Sequence, residues 1–387
     1  MIRKQQWSRF GRKAASPIFK RIYFIFEMQI MRNIEDRGRA AALGGLSRVM
    51  RVHETNALEA AASIGRLASP RILLIGLYQH MGQFLCATPL LRAMKAAWPN
   101  AALHFIGNPV NAAAARANPD LDRVLVWNKS ASFQWVAQSL RLRQERYDLA
   151  LLLTTERPSA TGVVLARVSG ARYVAGYVPA VSDAWARSAI SLCHIRIPFN
   201  QEKNEVEKFA GFARAFGMRV DDLRPEFVPS SADEAAADVF LANQSFSNKG
   251  PLVGLFVGGK AERTDRLWPV SHFARLAQLL REKDCRVIAI SPPAPAVALS
   301  DTFRSEEHLR LAEFRKEINW ECPAFQATAL GHVAAFLRRL DLFVCPDGGI
   351  MHLAAAVGTP TLAFFFSTDP EVWTTFRVRS SSARILR

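Results

Sequence analysis

Asp347-Gly348-Gly349-Ile350-Met351-His352 places an acid, two glycines and a histidine in one short stretch, a set suited to recognising anions and hydroxyl groups. An apolar run at 342–345 reads as a buried parallel strand, 346–349 as a tight turn and 350–357 as a short Ala-rich helix, with a second apolar strand at 361–366. That is a βαβ unit in which Asp347 and His352 sit where the strand's carboxyl end meets a helix N-terminus. In open α/β sheets ligands settle there, because free backbone N–H groups and the helix dipole point outward and attract phosphates above all. Gly348 and Gly349 let a ligand approach the backbone closely. His352, in the first helical turn, is expected to contact a diphosphate. Asp347 would repel a phosphate, so it reads as an acceptor for sugar or ribose hydroxyls. Asp-Gly turns with a nearby histidine also serve purely structural ends, so the wider pattern has to carry the weight.

That wider pattern, continuing into Ser367-Thr368-Asp369-Pro370 and Trp373, resembles the C-terminal signature of glycosyltransferase family 9, the ADP-heptose:lipopolysaccharide heptosyltransferases. Gly348 stands where the family usually has Ser, and Ser367 stands near its usual Gly. Further segments match in order: Arg71 to Gly76 with the loop to Gly82 and Thr88-Pro89, then Leu103 to Gly107 with Asn118-Pro119. Tyr147-Asp148-Leu149, Ser169-Gly170-Ala171, Gly176-Tyr177, Val253 to Phe256 and Arg266-Leu267-Trp268-Pro269 follow. The resemblance runs over about residues 70 to 376, and several spaced matches in register outweigh any single one.

The resemblance implies two Rossmann-like, doubly wound α/β domains facing a cleft, the GT-B arrangement, with an inverting sugar transfer between them. The second domain would hold a nucleotide-diphosphate sugar, ADP-heptose or a related donor, and the first would receive a lipopolysaccharide-type or other glycan acceptor. No cofactor or metal is implied. Asp347, Gly348, Gly349, Met351 and His352 correspond to the family's donor motif, and Arg266 sits where members often carry Lys; a guanidinium grips phosphate bidentately. Gly258, Gly259 and Lys260, just after the strand at 253–257, make a second candidate phosphate loop.

Transfer also needs a base for the acceptor hydroxyl, and here the sequence departs from the family. The family's proposed base is an Asp after the first-loop glycine, whereas Gly82 is followed by Gln83, whose amide cannot accept the proton at neutral pH. His80, a residue type that titrates near neutrality, is the alternative in the same loop. The other readings are a different acceptor, or a nucleotide-sugar or glycan-binding protein on the same fold that is impaired in catalysis. The chain also ends at Arg387, soon after the Thr368-Asp369-Pro370 turn, where the resemblance leads one to expect a further helix.

Positioning these residues takes two rounds of strand and helix alternation. Strands are expected at 71–77, 102–106, 123–127, 149–153 and 172–177, and helices at 89–97 and 132–146, with Thr88 as cap and Pro89 at the first helical position. The segment 197–233 is read as the crossing. A second alternation begins at Leu252, with a helix at 271–283, a strand at 286–291 and a helix at 332–340. The sequence assigns nothing at 292–328. The expected division is a basic, partly helical extension at 1–69, an acceptor-side domain at 70–230 and a nucleotide-sugar domain at 231–387.

Half of the 387 residues are hydrophobic, so sizeable cores can be buried. Five scattered cysteines show neither disulfide nor metal spacing, which points to a reducing compartment. No G-x-G-x-x-G follows either opening strand, which disfavours a nicotinamide dehydrogenase. Of the net charge of +16, more than half lies before residue 53, where twelve Lys and Arg face only Glu27, Glu35 and Asp36. Within this arm, 18–26 mixes bulky apolar and basic residues in a run too short to cross a bilayer. A solvated extension fits that composition nearly as well, but the aromatics and isoleucines favour an anionic membrane surface over nucleic acid, for which no binding module is visible. The expected location is cytoplasmic, peripheral at the inner face of the cytoplasmic membrane.

Overall fold

The structure is a computed structural model. It describes Gly45 and residues 52–382, apart from 78–79, 128–138, 156–158, 179–183, 199–201, 247–248, 259–266, 292–300, 328 and 376–377. Gly259, Lys260 and Arg266, nearly all of the basic arm and most of the expected helix at 132–146 therefore lie outside the described residues.

Two six-stranded parallel sheets organise the chain. The first contains β1 (Arg71–Gly76), β2 (Ala102–Gly107), β3 (Arg123–Val126), β4 (Leu149–Leu152), β5 (Tyr173–Tyr177) and β6 (Ile195–Ile197), in the order β3-β2-β1-β4-β5-β6. The second contains β7 (Leu252–Leu255), β8 (Arg286–Ser291), β9 (Ala324–Gln326), β10 (Leu342–Pro346), β11 (Thr361–Phe365) and β12 (Val378–Ser382), in the order β12-β11-β10-β7-β8-β9. The two orders are one topology written from opposite ends, so each sheet reverses its winding once, between β1 and β4 and between β7 and β10. The innermost strands are continuous apolar runs, as parallel strands covered on both faces must be; every residue of β4 and of β7 is buried.

The covering helices are α1 (Ala57–Gly65), α2 (Met81–Ala97), α3 (Pro109–Ala115), α4 (Ala160–Val168), α5 (Ala184–Ile190), α6 (Glu205–Ala215), α7 (Ser231–Ala242), α8 (Val270–Glu282), α9 (Asp301–Glu317), α10 (Leu330–Leu337), α11 (Gly349–Ala356) and α12 (Pro370–Trp373). Asn56, Asn108, Ser159 and Asn204 each cap the helix that follows by accepting a backbone N–H. Residues 52–69 pack on the first sheet: Thr55 N–H donates to His194 O at 2.9 Å, and Ala60 and Ile64 of α1 enter its core.

The structure corrects the expected start of the first long helix. α2 begins at Met81, and Pro89 lies inside it. Pro89 has no N–H to offer Leu85 O, and the Thr88 hydroxyl supplies the missing donor at 2.8 Å. Thr88 is thus a mid-helix repair and not a cap. The unassigned segment 292–328 contains α9, whose Leu311, Phe314 and Ile318 enter the core of the second unit, and the short strand β9.

The chain crosses between sheets along 218–230. Glu226 N–H donates to Thr88 Oγ1 at 2.9 Å, and the Arg92 guanidinium donates to Arg224 O and the Glu226 carboxylate. Val228 N–H then bonds Ala117 O in the first unit, while the adjacent Phe227 N–H bonds Ala356 O in the second. Among the described residues no helix is long and apolar enough to cross a membrane.

Candidate active site

In a doubly wound sheet the ligand crevice lies outside the carboxyl ends of the strands where the winding reverses. In the second unit those strands are β7 and β10, held together past the end of β7 by Phe256 N–H donating to Val344 O at 3.0 Å. β7 runs into Val257 and Gly258, and β10 into Asp347, Gly348 and Gly349, so Gly258 and the Asp347 loop flank one switch point.

The Asp347 loop is held by its neighbours. Asp347 N–H donates to Phe364 O at 3.0 Å, and its carboxylate accepts from the Thr368 hydroxyl at 2.7 Å, which ties it to the Ser367-Thr368-Asp369-Pro370 turn. The backbone at Gly348 is extended, and a side chain there would meet no atom within 4 Å, so the Ser usual in the family would fit. Gly349, exposed, opens α11. No side chain caps that helix and no acid lies in its first turn, which leaves its N–H groups and the positive end of its dipole available to an anion. Gly358, at φ 82°, closes α11 with the paired bonds Thr359 N–H to Ala354 O and Gly358 N–H to Ala355 O.

Two members of the motif do not face the crevice. Met351 is fully buried in the hydrophobic core. His352 is 4% exposed, and its ring lies against Gly82 of the first unit, with Nδ1 3.6 Å from Cys86 Sγ and Trp373 edge-on at 6.0 Å. Burial pushes its pKa down to about 4, against the upward pull of the Asp347 carboxylate, so the ring is neutral at pH 7. Proximity to a helix N-terminus suggested a diphosphate contact; the structure instead makes this ring part of the joint between the units.

The first unit presents the matching switch point. β1 leads to His80, Met81, Gly82 and Gln83, and β4 leads to Leu153 and Thr155, with Leu153 N–H donating to Ile75 O. His80 is exposed at the position preceding α2, and its side chain does not cap the helix; Gln83 is half-buried. Gly82 is buried, and a Cβ there would overlap the His352 ring, so only glycine lets the two units meet this closely. Met81 reaches over Gly349, where a Cβ would lie 3.3 Å from Met81 Cε. The N-termini of α2 and α11 therefore adjoin, neither carrying an acid in its first turn.

Sequence reasoning missed a buried polar cluster beside this joint. Glu205, 1% exposed at the start of α6, accepts from the Thr155 hydroxyl at 2.5 Å and from Lys208 Nζ at 3.2 Å. The sequence places this stretch within the crossing at 197–233, which says nothing of burial. Next to it, Asn204 Nδ2 donates to Thr374 O at 2.7 Å and Lys203 pairs with Glu371, fastening α6 to the end of α12. Among the described residues no group of three His, Cys, Asp or Glu side chains is placed to hold a metal ion. A surface cavity of about 560 Å³ lined by Arg116, Asn118, Phe227, Ser230, Asp233 and Gly331 contains none of the switch-point residues.

Two doubly wound units with their switch points brought together make the GT-B fold. The chain matches Glycosyltransferase family 9 (heptosyltransferase) over residues 135–385 and belongs to that family. It is 25% identical to the lipopolysaccharide core heptosyltransferase OpsX of Haemophilus influenzae over 178 residues, a match spanning 46% of this chain and 46% of that protein. Similarity to lipopolysaccharide heptosyltransferase 2 of Salmonella typhimurium, at 23% identity, spans 82% of this chain and 88% of that one. The fold is that of E. coli ADP-heptose lps heptosyltransferase II, with a TM-score of 0.63 at 19% identity over 80% of this chain and 90% of that chain. E. coli heptosyltransferase WaaC with ADP gives 0.61 at 19% identity, over 80% and 92%.

Proposed function

We propose that this chain transfers a heptose-type sugar from a nucleotide-diphosphate donor, ADP-heptose or a close analogue, to a lipopolysaccharide-core acceptor with inversion. The observation that carries the reading is the meeting of two uncapped, acid-free helix N-termini at facing switch points, since a diphosphate is the ligand such a place attracts most strongly. Residues 231–387 hold the donor, with Asp347 accepting from sugar hydroxyls and the N–H groups of Gly349 and its neighbours facing the diphosphate. Lys260 and Arg266 supply positive charge from the connection after β7. Residues 70–230 hold the acceptor. Its hydroxyl oxygen attacks the anomeric carbon, the bond from that carbon to the diphosphate oxygen breaks, and the hydroxyl proton passes to a base. His80, exposed beside Gln83, is the side chain we assign to that proton. The basic arm before residue 53 holds the enzyme on anionic lipid at the cytoplasmic face.

Calorimetry with ADP-, GDP- and UDP-sugars, followed by transfer to isolated lipopolysaccharide core, tests this reading. Binding and turnover are expected with the ADP-sugar. Asp347→Asn, which removes a charged acceptor worth about 1.5 to 3 kcal/mol, should lower affinity for the sugar donor by about tenfold or more and affinity for ADP less. Saturable binding with no turnover on any acceptor would replace the transferase by a nucleotide-sugar-binding protein.

A further inference from the structure

Arg310 lies on α9, in the stretch to which the sequence assigns nothing, yet it joins the residue after β7 to the residue before Pro269. Its Nε donates to Val257 O at 2.8 Å and its Nη2 to Trp268 O at 2.6 Å. Val257 is buried just past the end of β7, and Trp268 precedes Pro269, the N-cap position of α8. The Trp268 ring packs 4.3 Å from Phe364 of β11, and Phe364 O in turn receives Asp347 N–H. One guanidinium thus ties the β7 lip of the switch point, through Trp268, to the Asp347 lip.

The arrangement is expensive for a purely structural contact. A half-buried guanidinium meets two neutral carbonyls where a carboxylate would be the ordinary partner, and burial holds its pKa below the usual arginine value against the pull of Glu313. An apolar side chain on this face of α9 would extend the Leu311 and Phe314 contacts at lower desolvation cost. What an apolar residue or a lysine cannot do is present two N–H donors in a rigid fork to two carbonyls from different stretches of backbone.

We propose that Arg310 is a positioning residue for nucleotide-diphosphate binding, fixing Val257 at the β7 lip relative to Trp268 and, through the Trp268–Phe364 contact, relative to the Asp347 lip. This rests on the donor-side reading above. A misplacement of about 1 Å in a binding loop can cost up to about a hundredfold in function. Arg310 therefore matters without touching the ligand.

The test uses the full chain and ADP as probe, with GDP and UDP as comparators. Arg310→Met should weaken ADP binding by at least about tenfold, raise the donor KM more than it lowers kcat, and speed hydrogen exchange at 257–258 and 267–268. Arg310→Lys, which keeps the charge but loses the rigid fork that fixes the two carbonyls relative to one another, should melt like wild type and still bind ADP several-fold more weakly. Arg315→Met, an exposed position on the same helix, should change neither. Wild-type ADP affinity in Arg310→Lys overturns the proposal, whether or not Arg310→Met folds. If the unmodified protein binds none of the three nucleotides, the donor-site reading itself fails, a result separable from any effect at Arg310.

Discussion

The two switch points occupy equivalent places in equivalent sheets, yet they do different things. The one at β10 ends in Gly348 and Gly349, where a side chain at Gly348 would meet nothing and Gly349 is exposed at an uncapped helix start. The one at β1 ends in Gly82, buried under the His352 ring, with Gln83 half-buried beside it. Gly348 borders open space, whereas Gly82 is filled by the opposite unit. Topology fixes where a ligand can sit; what surrounds each glycine decides whether it does.

Three perturbations test this contrast. The largest effect is expected from Gln83→Asp, which restores a carboxylate at the first switch point. If the Gln83 amide has cost this loop the family's carboxylate, transfer should rise by about a hundredfold or more over the rate His80 supports, in the range general base catalysis supplies. His80→Ala should abolish the residual wild-type rate. Unchanged product formation in both variants would remove the first switch point from the chemistry.

The second perturbation is acid. The His352 pKa of about 4 lies below the unfolded value near 6.5, so between these the unfolded chain binds the extra proton. The stability this ring contributes is fully present above about pH 6.5 and is lost as pH falls toward 4, by up to about 3 kcal/mol. His194, which burial and Arg167 also push down to about 4, acts in the same window. His352→Gln should therefore reduce the stability lost between pH 7 and pH 4.5 in denaturant titrations, by about 2 to 3 kcal/mol. Equal sensitivity in both proteins would mean that the ring is not held neutral in the joint.

The smallest and cleanest comparison makes one substitution in two places. Gly82→Ser forces an atom into the His352 ring and should cost about 1 to 3 kcal/mol, the usual range for overpacking, read as a lower Tm. Gly348→Ser enters open space and should leave stability within about 0.5 kcal/mol of the original, as surface substitutions do, with Tm nearly unmoved. Equal shifts would show that the two glycines are not in different surroundings.

How far each part could be read from sequence follows from the range of the interaction that makes it. β1, β7 and β10 were legible because a doubly covered parallel strand must be apolar throughout, and the Asp347 loop because turn and helix signals are local. The start of α2 was misplaced because Pro89 carries the signal of a first helical position, while the hydroxyl that lets it sit mid-helix looks like a cap. Charge-rich α9 shows no clear apolar stripe, and the expected role of His352 depended on a neighbour 270 positions away, Gly82, that no local pattern can reveal. The burial of Glu205 and Met351 is long-range for the same reason.

Thr88 carries a consequence of its own. Its one oxygen gives its hydrogen to Leu85 O, closing the gap left by Pro89, and receives Glu226 N–H from the crossing segment. Backbone continuity inside a helix and anchorage of the segment between the two halves thus run through a single atom, like two ropes made fast to one cleat. An isosteric Val would leave a carbonyl and an amide unserved at the same moment, at either end of the same missing hydroxyl. A position that in a list of residues looks like an ordinary helical threonine is, in the folded chain, where the shape of one half and the attachment of the other are decided together.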